Sequence, residues 1–289
     1  MRTAAVAGVA AAGAQSFAGG SMLAEIVIVM LFGASAFVIL ARTRRNALYT
    51  SLHDAQLRLL AEHPPPRLRL GSQPSAAGEP GPVIVDDLLD PADLAEIRAE
   101  AERLVGIERS YLPVHKKGGT IAYETLNRSA PRIVALYLSP ALQALVGELT
   151  GERGRIQPTP IHDQSSLSLL FYDRPGDHIG WHYDHNFYRG RHFTVLIPLI
   201  NQGHDAEGLS HARLLVREAT GDRVIATPPN RLILFEGAKV LHKVTPIREG
   251  ERRVVLSMTF CTDPRDHWWQ GLARRVKDVG FFGLRALWT

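Results

Sequence analysis

The sequence predicts an α+β protein: a double-stranded β-helix (jelly roll) with flanking helices, preceded by one transmembrane helix. Three observations predict it. From Ser165 onward short apolar runs alternate with Gly, Pro and Asp turns, the pattern of a β-sandwich or barrel. Two histidines and a carboxylate, His182, Asp184 and His242, sit at the ends of such runs, where a double-sheet jelly roll can carry a metal site in its mouth. Met22 to Ala41 is apolar apart from Glu25 and Ser35, and about 20 helical residues span the roughly 30 Å of a bilayer's hydrocarbon core.

The N-terminal elements follow in order. Residues 1–21, rich in Gly and Ala, read as a disordered lead-in. Residues 22–41 read as the membrane span, and Arg42, Arg44 and Arg45 follow at once. By the positive-inside rule these arginines stay in the cytoplasm, giving a single-pass protein with a cytoplasmic catalytic domain. Ala34-Ser35-Ala36 resembles a signal-peptide cleavage site. An uncleaved anchor is preferred, because the apolar run continues through Leu40 to a basic stop. Residues 42–81 read as a juxtamembrane helix and linker: Leu48, Leu52, Leu57, Leu59 and Leu60 form an imperfect helical stripe, Pro64-Pro65-Pro66 ends it, and Gly71 to Gly81 is Gly/Ser/Ala/Pro-rich.

The catalytic region opens with the strand-like run Val83 to Leu89. A helix is expected from Pro91 to Leu104, with Asp90 as N-cap and Pro91 at its first position. A second is expected over Ala130–Leu149 with a break at Pro140. The strands Phe193–Ile197, Leu232–Phe235 and Arg253–Met258 come next.

The chemistry lies between them. Residues two apart on a strand point to one face, so His182 and Asp184 can share a metal while Tyr183 points away. His242 must arrive from another strand. Two imidazoles and one carboxylate form the facial ligand set of non-haem Fe(II) oxygenases. A chance His-x-Asp is common in a chain with twelve histidines, and the pattern gains force only from its surroundings. Those include Tyr172 upstream, Gly176 and Gly180 in the intervening loop, and Gly250-Glu251-Arg252 downstream of His242. A guanidinium near such a site suits bidentate capture of a carboxylate. Arg252 and Arg253 compete for that role, since neighbouring strand residues face opposite sides.

Together these residues resemble the prolyl 4-hydroxylase-like branch of the Fe(II)/2-oxoglutarate dioxygenases, over roughly Pro82 to Pro264. The resemblance implies a dioxygenase domain at residues 82–264 that binds Fe(II) through His182, Asp184 and His242. It implies 2-oxoglutarate held by Arg252, which the Gly-x-Arg spacing selects over Arg253, with Tyr172 and, less directly, Thr194. Molecular oxygen is the co-reactant, and ascorbate belongs to the same expectation. Related halogenases lack the carboxylate to make room for halide, so Asp184 implies hydroxylation. One departure stands out: where many relatives carry a Gly-Gly pair, this chain reads Gly208-Leu209-Ser210-His211-Ala212-Arg213-Leu214, so the substrate does not transfer from the family.

Residues 265–289 interleave Trp268, Trp269, Phe281 and Phe282 with Arg274, Arg275, Lys277 and Arg285. Such a segment suits either a helix in the membrane interface or one packed on the core. The formal net charge of +4 is too small an excess to argue for nucleic acid. The single cysteine, Cys261, excludes an intrachain disulfide and reads as a buried strand-end thiol. The expected partners are therefore oxygen, the lipid bilayer and a small-molecule or peptidyl substrate. A lipophilic substrate is favoured by the anchor; peptidyl proline is the alternative, and a non-catalytic, membrane-tethered metal sensor or scaffold is the rival class.

Overall fold

The computed structural model describes residues 5–69, 75–76, 81–107, 109–112, 115–265 and 268–282. The chain divides into two compact units, one ending at Leu48 and one beginning at Tyr49. The first unit is helical from Ala5, part of α1 (Ala5–Glu62). The expected disordered lead-in is corrected here: an alanine-rich run loses little side-chain entropy in a helix and extends it. One stretch of α1 is long and apolar enough to cross a membrane, and Val29, Met30 and Phe32 on it are at least 70% exposed.

In the second unit, the end of α1 buries Leu52 and Leu59, while Leu57 stays exposed. The helix stops at Glu62, before the three prolines. Most of the expected linker, residues 70–74 and 77–80, lies outside the described residues. Strand β1 (Ser75–Ala76) within it pairs with β2 (Val83–Val85). Helix α2 (Pro91–Leu104) has the expected bounds, and Asp90 accepts the Ala92 amide at 3.0 Å as its cap. Two strands follow that the sequence reading missed, β3 (Arg109–Leu112) and β4 (Lys116–Ile121), and then the short helix α3 (Tyr123–Ser129). The expected long helix is α4 (Pro131–Tyr137) and α5 (Pro140–Thr150), separated at Ser139, which caps α5.

The remaining strands are β5 (Gln157–Pro158), β6 (Leu167–Tyr172), β7 (His178–His182), β8 (His192–Gln202), β9 (Leu214–Glu218), β10 (Gly221–Ile225), β11 (Leu232–Glu236), β12 (His242–Val244) and β13 (Arg252–Cys261). They form one antiparallel sheet in the order β1-β2-β11-β8-β13-β6-β4-β7-β12-β9-β10. The sheet curls on itself, and β4 makes the turn from one half to the other. Its Gly119–Ile121 segment pairs with β6 and its Lys116–Lys117 segment with β7.

Strand alternation separates two cores. Leu167, Leu169, Phe171, Val254, Leu256 and Met258 face outward and pack with Ile97, Ile133 and Leu136 of the helices. Tyr172, Ile179, Leu196, Val216, Phe235 and Val255 face the interior between the halves. Because β8 is covered on both faces, it is buried from His192 to Asn201, which explains its unbroken apolar run. Cys261 is buried at the end of β13, as expected.

Candidate metal centre

The strand register brings the three expected ligands together. His182, the last residue of β7, stands directly across from His242, the first of β12. Their rings are 4.1 Å apart between centroids. Each ring is fixed by its Nδ1, which lies 2.8 Å from the Gly180 carbonyl in His182 and 3.0 Å from the Val240 carbonyl in His242. A carbonyl can only accept, so Nδ1 carries the proton and Nε2 is left as the ligand atom. Asp184 Oδ1 lies 3.6 Å from His182 Nε2 and 4.0 Å from His242 Nε2. One ligand atom from each residue falls within 4.8 Å of the others, a cluster that can hold one metal ion.

Asp184 is held from two sides. Its amide donates to the Gly237 carbonyl at 3.1 Å, and its Oδ2 accepts from Thr194 Oγ1 at 2.6 Å. Gly237 is required by this approach: a Cβ there would lie 2.7 Å from Asp184 Cβ. Burial pushes the Asp184 carboxyl up, but His242, His182 and the Thr194 hydroxyl together bring it below its ordinary value. Burial, reinforced by His242, lowers His182 to about 4, so its imidazole is neutral and available to a metal at neutral pH.

One expected cosubstrate residue is corrected. Arg252 does not face the interior: it shares the outward face of β13 with Val254 and Leu256 and makes a 3.4 Å contact with Glu102. Arg253 is the inward residue, 1% exposed, paired in register with Tyr172 and stacked 5.6 Å from that ring's centroid. Its Nε and Nη1 and the Tyr172 hydroxyl are buried without a hydrogen-bond partner among the described residues. Thr194 donates to Asp184, one of the three candidate ligands, and so orients that carboxylate. Tyr172 lies where expected, on the inner face.

A cavity of about 290 Å³ opens beside the triad, at the small end for ligand pockets. Lys116 and Thr120 on β4 line it and escaped the sequence reading, and His192 beside Asp184 lines it as well. Asp163 and Lys277 also line it. Lys277 belongs to helix α6 (Trp268–Phe282), and its Nζ donates to Ser165 Oγ at 2.9 Å and lies 3.8 Å from Asp163. Arg274 and Asp278 on the same helix are buried. Of the two expectations for the tail, packing on the core is what α6 shows; residues 283–289 lie outside the described residues. The departing loop after Gly208 is tied down by Glu251, whose buried carboxylate accepts the His211 amide at 3.0 Å.

Comparison with known proteins agrees on the fold. A prolyl hydroxylase from Trichoplax adhaerens, solved with a hypoxia inducible factor peptide, is 18% identical over 64% of this chain and 84% of its own, with a TM-score of 0.51. A 2OG-Fe(II) oxygenase family oxidoreductase from Burkholderia pseudomallei is 17% identical over 65% and 88%, also at 0.51. The non-heme alpha ketoglutarate dependent epimerase SnoN of nogalamycin biosynthesis is 16% identical over 72% and 82%, at 0.50. At these identities the likeness is one of fold. No curated protein matches the chain. The family model HalD, described as Halogenase D, matches residues 76–269. That stretch runs from β1 to the start of α6 and takes in every ligand of the candidate metal centre, so the chain belongs to the Halogenase D family.

Proposed function

We propose that this protein is a membrane-anchored, Fe(II)- and 2-oxoglutarate-dependent hydroxylase. The observation that carries the reading is the clustering of His182, Asp184 and His242 at the mouth of a curled antiparallel sheet. The donor set suits Fe(II): two neutral imidazoles and a carboxylate leave coordination positions open for a keto acid and oxygen. The fit for 2-oxoglutarate rests on Arg253 and Tyr172. A buried guanidinium with unpartnered N–H groups beside an unpartnered phenol matches the distal carboxylate of a dicarboxylic keto acid. Bound together, iron and 2-oxoglutarate supply the oxidising power that replaces an unactivated C–H by C–OH.

The chain's own residues do the rest. The carbonyls of Gly180 and Val240 orient the two rings, Thr194 orients the carboxylate, and Ile179, Leu196 and Val255 give the inner face an apolar surface that would limit water around a bound cosubstrate. The family description favours a second reading, halogenation. Against it stands Asp184, whose carboxylate takes the position that halide needs. The anchor reading rests on the exposed apolar helix around Met22–Ala41 and the arginines after it. It places the catalytic unit at the cytoplasmic face, near membrane-resident substrates.

The test is oxygen-dependent succinate formation from 2-oxoglutarate by the full-length protein in detergent, supplied with Fe(II). Turnover should be lost in His182→Ala, and product from the native protein should gain oxygen and not chlorine. Wild-type iron content in His182→Ala would show the ligand assignment to be wrong.

A further inference from the structure

Lys116 is unlike the other lysines of the chain. It lies on β4, the strand that joins the two halves of the sheet, and is 2% exposed although its ammonium borders the metal cavity. Lys116 pairs in register with Ile179 of β7, three residues before the ligand His182. Its neighbour His115 meets the His182 ring edge-on at 5.7 Å. The ammonium donates to Thr120 Oγ1. The same cavity wall carries the hydroxyls of Ser168 on β6 and Ser257 on β13, which face each other across the paired strands.

An ammonium in such surroundings is costly, because burial strips its hydration. Burial alone lowers Lys116 to about 7. A wall meant only for an apolar molecule would gain from leucine or methionine here. Instead it places a cation beside the Thr120 hydroxyl, in a cavity whose lining also includes Ser168 and Ser257, and such groups receive an anion through charge-assisted hydrogen bonds. The cosubstrate's distal carboxylate already has a place at Arg253, on β13 two alternate positions beyond Ser257 along the inner face.

We propose that Lys116, with Thr120, Ser168 and Ser257, forms a second carboxylate subsite in the metal cavity, one that receives the acidic group of the molecule being oxidised. This rests on the reading of the protein as a 2-oxoglutarate-dependent hydroxylase and narrows its substrate to a small carboxylate, whose chain runs from Lys116 toward the metal. The cavity's size admits a short chain and excludes a folded polypeptide segment.

Two carboxylates could reach Lys116, that of 2-oxoglutarate and that of the substrate, and the experiment separates them. Full-length protein in detergent, loaded with Fe(II) and 2-oxoglutarate under nitrogen, is treated with acetic anhydride at pH 7.5, and acetylation of Lys116 is followed by mass spectrometry. Only an unprotonated amine reacts, so a paired carboxylate protects by raising the amine's pKa as well as by covering it. Acetylation should continue in the 2-oxoglutarate complex and slow at least fivefold on addition of hexanoate, with no slowing by hexanamide. In parallel, the 2-oxoglutarate Kd should rise at least tenfold in Arg253→Met and less than threefold in Lys116→Met.

Protection by 2-oxoglutarate alone, with a tenfold Kd loss in Lys116→Met, would assign Lys116 to the cosubstrate and overturn the proposal. So would equal effects of hexanoate and hexanamide. The labelling arm uses the native protein, so it decides even where Lys116→Met does not fold. Failure of 2-oxoglutarate to bind the iron-loaded native protein would instead sink the hydroxylase reading, and hexanoate protection would still report on the subsite.

Discussion

Replacing Lys116 with methionine should stabilise the protein, and the gain should depend on pH. Burial moves this lysine from its ordinary 10.5 to about 7, which at 1.36 kcal/mol per pH unit corresponds to about 5 kcal/mol. Water penetration and local relaxation reduce such penalties, and the lost bond to Thr120 subtracts about 1 kcal/mol more. A net gain of about 2–3 kcal/mol near neutral pH is expected. The sign follows from proton counts. Between about pH 7 and pH 10.5 the unfolded chain holds a proton on this lysine that the folded chain does not. The native protein therefore gains stability as pH rises through that window, and the full penalty is present below it. Lys116→Met removes this dependence. The assay is thermal unfolding of both proteins in detergent between pH 6 and pH 10. The Tm of the variant should exceed that of the native protein by about 5–10 °C at pH 6–7, and the gap should close toward pH 10. A gap that stays constant across the range, or a less stable variant at every pH, would show that Lys116 is not a buried cation in the folded protein.

Three further outcomes are expected. Thr194→Val removes the 2.6 Å bond to Asp184 Oδ2 and should weaken Fe(II) binding about 10–100-fold, the usual range for a group that orients a metal ligand; isothermal titration under nitrogen reads it, and an unchanged affinity would mean the hydroxyl does not position the carboxylate. Arg252→Met should change the 2-oxoglutarate Kd less than threefold, since its contact with Glu102 is partly exposed, whereas loss of a charge-assisted pair at Arg253 should cost about 1.5–3 kcal/mol, a tenfold effect or more; the reverse order would restore the spacing-based choice. The full-length protein should resist extraction by salt or carbonate and dissolve in detergent, and recovery of a mature chain beginning after Ala36 would replace the anchor by a secreted protein.

Much of this was legible in the sequence because it depends on local rules. Asp90-Pro91 starts a helix by capping and fixed φ, and His182 closes its strand as expected, whereas Asp184 lies two residues past the end of β7 and is set by its bonds to Gly237 and Thr194 instead of by strand alternation. Counting from Gly250 selects Arg252, but facing is decided by parity. Val254, Leu256, Met258 and Phe260 are the apolar set of β13, and Ser257 and Thr259 the polar one, lining the cavity. Arg253 belongs with the second set, so the alternation itself carried the information. Lys116 was obscured differently. In His115-Lys116-Lys117-Gly118-Gly119-Thr120 no apolar residue marks a face, and the strand exists because Gly119 lets the Phe171 ring lie across it. That contact links residues far apart in the chain and leaves no periodic trace. The tail was ambiguous for a similar reason: amphipathicity shows that a face is covered without naming what covers it, and only the contacts of Lys277 with Ser165 and Asp163 do.

Membership of a family described as Halogenase D makes residue 184 the position on which the chemistry turns. A site that coordinates halide there needs a small side chain. This chain is shaped around the carboxylate instead. Thr194, on a strand buried on both sides, directs its Oγ1 at Oδ2, and Gly237 yields the space that Asp184 Cβ occupies. Asp184→Gly would leave the Thr194 hydroxyl facing a gap and two imidazoles as the only protein ligands. Iron affinity should fall by at least a hundredfold, since one charged ligand of three is gone, and chloride should not restore it. Metal titrations of this variant in chloride and in sulfate decide the matter. Recovery of native affinity in chloride alone would mean that the pocket accepts halide in place of the carboxylate, and that the family's description, rather than Asp184, foretells the reaction.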